Sequence, residues 1–124
     1  MRREYEQKGL RWVVDYDCKR PRNLLLYDSR NVTVENLTLR RSPFWNLHVC
    51  YCEHVRIDGI TVRDCNGPST DGVDIDSSCD VEVTRCDIDC NDDNICLKAG
   101  RDADGLRVNR PCETSAFTTV SRGR

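Results

Sequence analysis

The chain has 124 residues, 38% of them hydrophobic, with 19 basic and 21 acidic side chains for a formal net charge of −2. That length allows one domain, and the Val, Ile and Leu content is too high for a disordered chain. No run approaches the roughly 20 consecutive apolar residues of a membrane helix, and Met1-Arg2-Arg3-Glu4-Tyr5-Glu6 lacks the apolar segment of a secretory signal, so no membrane partner is expected; no nucleic-acid partner is expected either.

In chain order, Arg2 to Lys8 is predicted to form one or two helical turns ended by Gly9, within a capping segment over residues 1–23. A cap is needed because the last strand of an uncovered solenoid presents unpaired backbone groups. A repeat follows. Val32-Thr33-Val34, Val55-Arg56-Ile57 and Val81-Glu82-Val83 share a pattern, each followed by a second alternation, Leu37-Thr38-Leu39, Ile60-Thr61-Val62 and Cys86-Asp87-Ile88. The offsets are 23 and then 26 in both series. A third series of four-residue segments begins at Leu24, Asn46, Gly72 and Asn94, with offsets of 22, 26 and 22.

Alternation over three to five residues, β-branched content and Asn, Asp or Gly punctuation predict strands, three to a unit. Units this small cannot bury their own apolar faces, so they must stack as an all-β parallel β-helix of about three to four coils over residues 24–113. A leucine-rich repeat solenoid is disfavoured, because no coil has a helix-length apolar periodicity. Ala99 to Arg110 is predicted to be a projecting loop and residues 114–124 an irregular tail, which suggests an incomplete chain.

Residues 71–97 hold nine acidic side chains against one basic. A solvated acidic face is the plain explanation of such a run. Asp71 and Asp93, however, lie 22 residues apart in the register that aligns Gly72 with Asn94, so they are expected to be stacked neighbours, with Asp92 beside them. Repulsion among three close carboxylates raises at least one pKa and leaves a proton available near neutrality, as acid–base catalysis requires. Glycoside hydrolysis uses such equipment: a carboxyl separation of roughly 6.5 to 9.5 Å inverts the anomeric centre, and about 5 to 5.5 Å retains it. Calcium is the rival chemistry, with Asp71, Asp74, Asp76, Asp89, Asp92 and Asp93 as hard oxygen donors. Strict alternation would send Asp71 inward with Val73 and Ile75, and Asp93 inward with Ile95 and Leu97; both stand where a turn enters a strand, and turns break alternation.

These residues resemble glycoside hydrolase family 28, the polygalacturonases and related pectin hydrolases. The family motifs are Asn-Thr-Asp-Gly, Asp-Asp, Gly-His-Gly and Arg-Ile-Lys. Ser69-Thr70-Asp71-Gly72 is similar to the first, with Ser for Asn, and Asp92-Asp93 matches the second; Ser42-Pro43-Phe44-Trp45-Asn46-Leu47-His48 and Leu97-Lys98-Ala99-Gly100-Arg101 are similar to flanking stretches. The resemblance covers about Arg2 to Glu113. It implies a right-handed parallel β-helix, inverting hydrolysis of α-1,4 links in polygalacturonate without metal or cofactor, Asp92 as general acid, and Asp71 and Asp93 activating water. It also implies an acidic polysaccharide substrate, a secreted or periplasmic location and a monomer at full length. Neither Gly-His-Gly nor Arg-Ile-Lys occurs in these residues, so little or no activity is expected of the chain as it stands.

Trp45, Lys98 and Arg101 are candidates for binding an anionic sugar. The nine cysteines leave at least one unpaired in any disulfide scheme; Cys86 stands at a core position, and zinc is not expected without Cys-x-x-Cys pairs. His54, aligned with Asn31 and Asp80, is assigned to a turn, and Asn31 and Asn36, which match the glycosylation pattern, are assigned to turns as well. A non-catalytic β-helix module that binds polysaccharide or a protein partner is the alternative to an enzyme.

Overall fold

The computed structural model describes residues 19–122. The predicted helical turns at Arg2 to Lys8 and most of the capping segment therefore lie outside the described residues. Ten strands and one helix follow in order: β1 (Leu24–Tyr27), β2 (Arg30–Glu35), β3 (Thr38–Arg40), β4 (Leu47–Cys50), β5 (Glu53–Asp58), β6 (Thr61–Arg63), β7 (Val73–Asp76), β8 (Cys79–Ile88), β9 (Ile95–Lys98), α1 (Asp102–Val108) and β10 (Glu113–Arg122). They form a parallel β-solenoid of about three turns. One sheet has the order β1-β4-β7-β9; the other runs β2-β5-β8-β6-β3, with β10 also paired to β8. The ten-residue β8 joins two strand positions that are separate in the coil before it, pairing β5 through its first half and β6 through its second.

Every pairing is parallel, so side chains of one kind stack in columns. Val32, Val55 and Val81 are partners, as are Leu39, Val62 and Ile88. The core is these columns: Leu47, Ile57, Ile60, Ile75, Val83 and Ile88 are completely buried. Cys86 joins them at 1% exposure, as its sequence position predicts. Each such side chain contributes about 1.5–3 kcal/mol by leaving water.

The coil corners need left-handed backbone, and polar residues supply most of it. Asn31, His54 and Asp80 share one corner with φ of 56°, 55° and 53°. Asn and Asp tolerate this region because their short side chains satisfy nearby backbone. His54 pairs there with Asp80 of the next coil. Asn36, Gly59 and Arg85 occupy the next corner. Arg85, ill suited to a positive φ, is held by two hydrogen bonds donated to Asp58, at 2.7 and 2.6 Å.

Three local expectations are corrected. Leu24 pairs with Leu47, not Asn46, so the first offset in this column is 23. The run Leu24-Leu25-Leu26-Tyr27 lacks alternation and cannot fix its own frame. Asn23 is the true counterpart of Asn46: its amide bonds the Trp45 carbonyl as the Asn46 amide bonds that of Asp71. Second, the segment expected as an irregular tail forms β10, because its backbone is templated by β8 in register Ser115↔Val81 and Phe117↔Val83. Third, the predicted loop contains α1, which buries none of its residues and so carries no apolar periodicity. The eight cysteines among the described residues are free.

Two coils meet closely at Gly72: a Cβ there would stand 2.4 Å from the Asn94 carbonyl oxygen and 2.5 Å from Ile88 Cγ2. Gly72→Ala is expected to lower stability by about 1–3 kcal/mol through overpacking, read as a fall in the urea midpoint. An unchanged midpoint would mean that the coils do not meet closely here.

Candidate active site

The residue before Gly72 inherits its place from the same stacking. Gly72 donates its amide to the Asp93 carbonyl at 2.9 Å, and Asn46 donates backbone and side-chain N–H groups to the Asp71 carbonyl at 2.8 and 3.0 Å. Trp45, Asp71 and Asp93 are therefore successive members of one column at the start of β4, β7 and β9. The structure brings Asp71 and Asp93 together as their spacing predicts, with Asp92 adjacent. Asp92 and Asp93 are exposed, whereas Asp71 is buried at 4% exposure.

The outward face of the first sheet completes the arrangement. Val73 and Ile75 enter the core, so Asp74 between them points out, beside the outward Cys96 of the neighbouring strand. Lys98, also outward, lies with its ammonium 3.2 Å from Asp74 Oδ1, 3.8 Å from Asp71 Oδ2 and 3.2 Å from Cys96 Sγ. The same ammonium stands 4.6 Å from the Trp45 ring centroid. Asp71 is thus turned to the outer face, which resolves the alternation problem: the turn before β7 aims it toward Lys98.

Burial dominates the titration here. It pushes the Asp74 carboxyl up to about 8, reinforced by the Asp71 charge and opposed by Lys98. Burial also raises Asp71, with Asp92 and Asp93 adding repulsion and Asp74 and Lys98 acting the other way. Burial works against the Lys98 charge, yet Asp74 and Cys96 outweigh it and hold the ammonium above the ordinary lysine range. At neutral pH the Asp71–Asp74 pair therefore keeps a proton and Lys98 keeps its charge.

Two of the three predicted binding residues, Trp45 and Lys98, join this cluster. Arg101 stands apart, 65% exposed and paired with Asp102 at the start of α1. The sequence marks Asp74 only as a possible oxygen donor and does not single out His48. His48 Nε2 lies 3.2 Å from Asp76 Oδ2, and this contact, with the Gly100 and Ser77 donors and against the effect of burial, lowers Asp76 to about 2. The signal for Asp74 was available in Val73-Asp74-Ile75, where a carboxyl on the outer face is flanked by two core residues. Among the described residues, Asp71, Asp74 and Cys96 form one group with metal-ligand spacing, and His48, Cys50 and Asp76 another.

The family model for glycosyl hydrolases family 28 matches residues 7–111. The chain belongs to that family. This family-28 chain is 34% identical over 110 residues to a Vitis vinifera protein named "Probable polygalacturonase", a match covering 85% of the chain and 22% of the relative. It is 36% identical over 106 residues to a polygalacturonase of Juniperus ashei, covering 75% of the chain and 21% of the relative. The crystal structure of a hyperthermoactive exopolygalacturonase from Thermotoga maritima superposes with a TM-score of 0.72 at 27% identity, over 94% of the chain and 30% of that structure. The chain thus spans about a fifth of the length of these curated relatives.

The raised Asp74 pKa has a stability consequence with a definite sign. An unfolded Asp loses its proton near pH 4, whereas folded Asp74 holds it to about 8. Between these values the native state binds more protons, so stability falls as pH rises through this window and levels off above it. Asp74→Asn has no such proton. Its stability relative to wild type is expected to grow from about pH 4 to about pH 8, measured by urea unfolding at several pH values. A difference constant across that range would remove the buried, protonated carboxyl.

Proposed function

We propose that this chain carries the acid–base face of a glycoside hydrolase that cleaves α-1,4 links of polygalacturonate with inversion. Asp92 is the general acid that protonates the leaving oxygen, and Asp71 and Asp93 together activate the attacking water. The observation that carries the reading is the stacking of Asp71 against Asp93 at the mouth of adjacent strands, with Asp92 beside them. Lys98 is suited to hold a substrate carboxylate by charge, and Trp45 offers a ring face at the same place. Membership of family 28 and the named polygalacturonase relatives support pectin as the substrate class.

Asp74 has a supporting part. As a neutral acid at working pH it leaves Asp71 as the carboxylate that faces the Lys98 ammonium. The activity belongs to the whole protein, since the chain spans only about a fifth of its relatives.

The 124-residue chain alone is expected to show little or no release of reducing ends from polygalacturonate. In the longer protein that contains this segment, Asp92→Asn is expected to lower kcat by about 10²–10⁴-fold with substrate binding kept. Proton NMR of the first-formed product should show the β anomer. Unchanged turnover with binding intact would reject the Asp92 assignment and leave a polysaccharide-binding module, while an α product would reject inversion.

A further inference from the structure

The outer face of the first sheet carries a second group of donors that the proposed hydrolysis does not use. His48 and Cys50 are two residues apart on β4 and so share a face. Asp76 on β7 is the direct partner of Cys50 in the next coil. His48 Nε2 lies 3.2 Å, and Cys50 Sγ 3.9 Å, from one oxygen, Asp76 Oδ2. All three ligand atoms lie within 4.8 Å of one another. The group is sequestered, with His48 and Cys50 buried and the Asp76 side chain 15% exposed.

These separations suit one kind of ion. Tetrahedral zinc with its usual bond lengths sets a nitrogen–oxygen edge of about 3.4 Å and a sulfur–oxygen edge of about 3.6 Å. The observed 3.2 and 3.9 Å differ by only a few tenths of an ångström. An outer shell is already in place: Asp76 Oδ1 accepts hydrogen bonds from the Gly100 amide at 3.0 Å and the Ser77 hydroxyl at 2.9 Å, which leaves Oδ2 for the metal. His48 Nδ1 is buried and has no hydrogen-bond partner among the described residues, so Nε2, the nitrogen that faces Asp76, is the one placed to ligate.

The neighbouring trio of Asp71, Asp74 and Cys96 does not compete, because the Lys98 ammonium lies 3.2 Å from both Asp74 and Cys96. Among the described residues no Lys or Arg forms an ion pair with Asp76. Mixed sulfur, nitrogen and oxygen donors disfavour calcium and magnesium, which take oxygen ligands.

We propose that His48, Cys50 and Asp76 form a site for a zinc-class divalent metal, with the fourth position left to water. The ion fastens β4 to β7 across two coils. On binding, Cys50 releases its thiol proton to solvent and ligates as thiolate, while His48 ligates as neutral imidazole through Nε2.

The test loads the full chain with Zn²⁺, or with Co²⁺ as a spectroscopic substitute, after chelation and desalting. One zinc per chain is expected to be retained, and Co²⁺ is expected to show a near-ultraviolet thiolate-to-metal charge-transfer band. Cys50→Ala should abolish that band, and Cys96→Ala should leave it. Ser77→Ala, which touches only the outer shell, should weaken binding about 10–100-fold while circular dichroism shows the fold kept. The thiolate band on the unmutated chain needs no variant to fold. Absence of retained zinc, absence of the band, or a band that survives Cys50→Ala but is lost in Cys96→Ala would each overturn the assignment.

Discussion

In-register parallel pairing between coils is the constraint from which the rest of this molecule follows. Strands about 4.8 Å apart place each side chain directly over its counterpart one turn earlier, whatever the sequence distance between them. The repeat offsets of 23, 26 and 22 are unequal, yet the strands stay aligned because the extra residues are taken up in the turns. Columns of Val, Ile and Leu seal the interior. The same columns carry Trp45, Asp71 and Asp93 along the outside.

Close stacking has an electrostatic consequence. Asp71 and Asp74 are both buried, and desolvation outweighs every individual charge in setting their protonation. A buried carboxylate without full hydrogen bonding is costly, so a proton stays on the pair near neutrality. Lys98 stands in register with Asp76, and its side chain lies on the outer face against Asp74 and Cys96. One ammonium thus serves two carboxyls and one thiol, and faces an indole.

The legibility of the sequence followed the strength of its alternation. Val32, Val55 and Val81 could be aligned because each is followed by polar then apolar residues. The all-leucine start of β1 has no such phase, and its register slipped by one. β10 was illegible for another reason: its pairing comes from the exposed edge of β8, and Ser115 stands where earlier coils place valine. The helix α1 buries nothing, so it leaves no apolar stripe to read. At the site, Asp71 and Asp93 were legible from spacing. Asp74, His48 and Asp76 were not weighted as a group, because their meeting depends on which face each side chain takes and on contacts between coils.

The amino-acid sequence by itself determined the solenoid, its periodicity and the juxtaposition of Asp71 with Asp93, since all three are matters of spacing along a repeating chain. The tertiary structure alone decided which acids lie in water and which do not. Asp92 and Asp93 are exposed while Asp74 is wholly buried, and the Lys98 ammonium is brought between Asp74 and Cys96. Burial and the aim of a side chain arise from all neighbouring coils at once, and no stretch of one strand contains them.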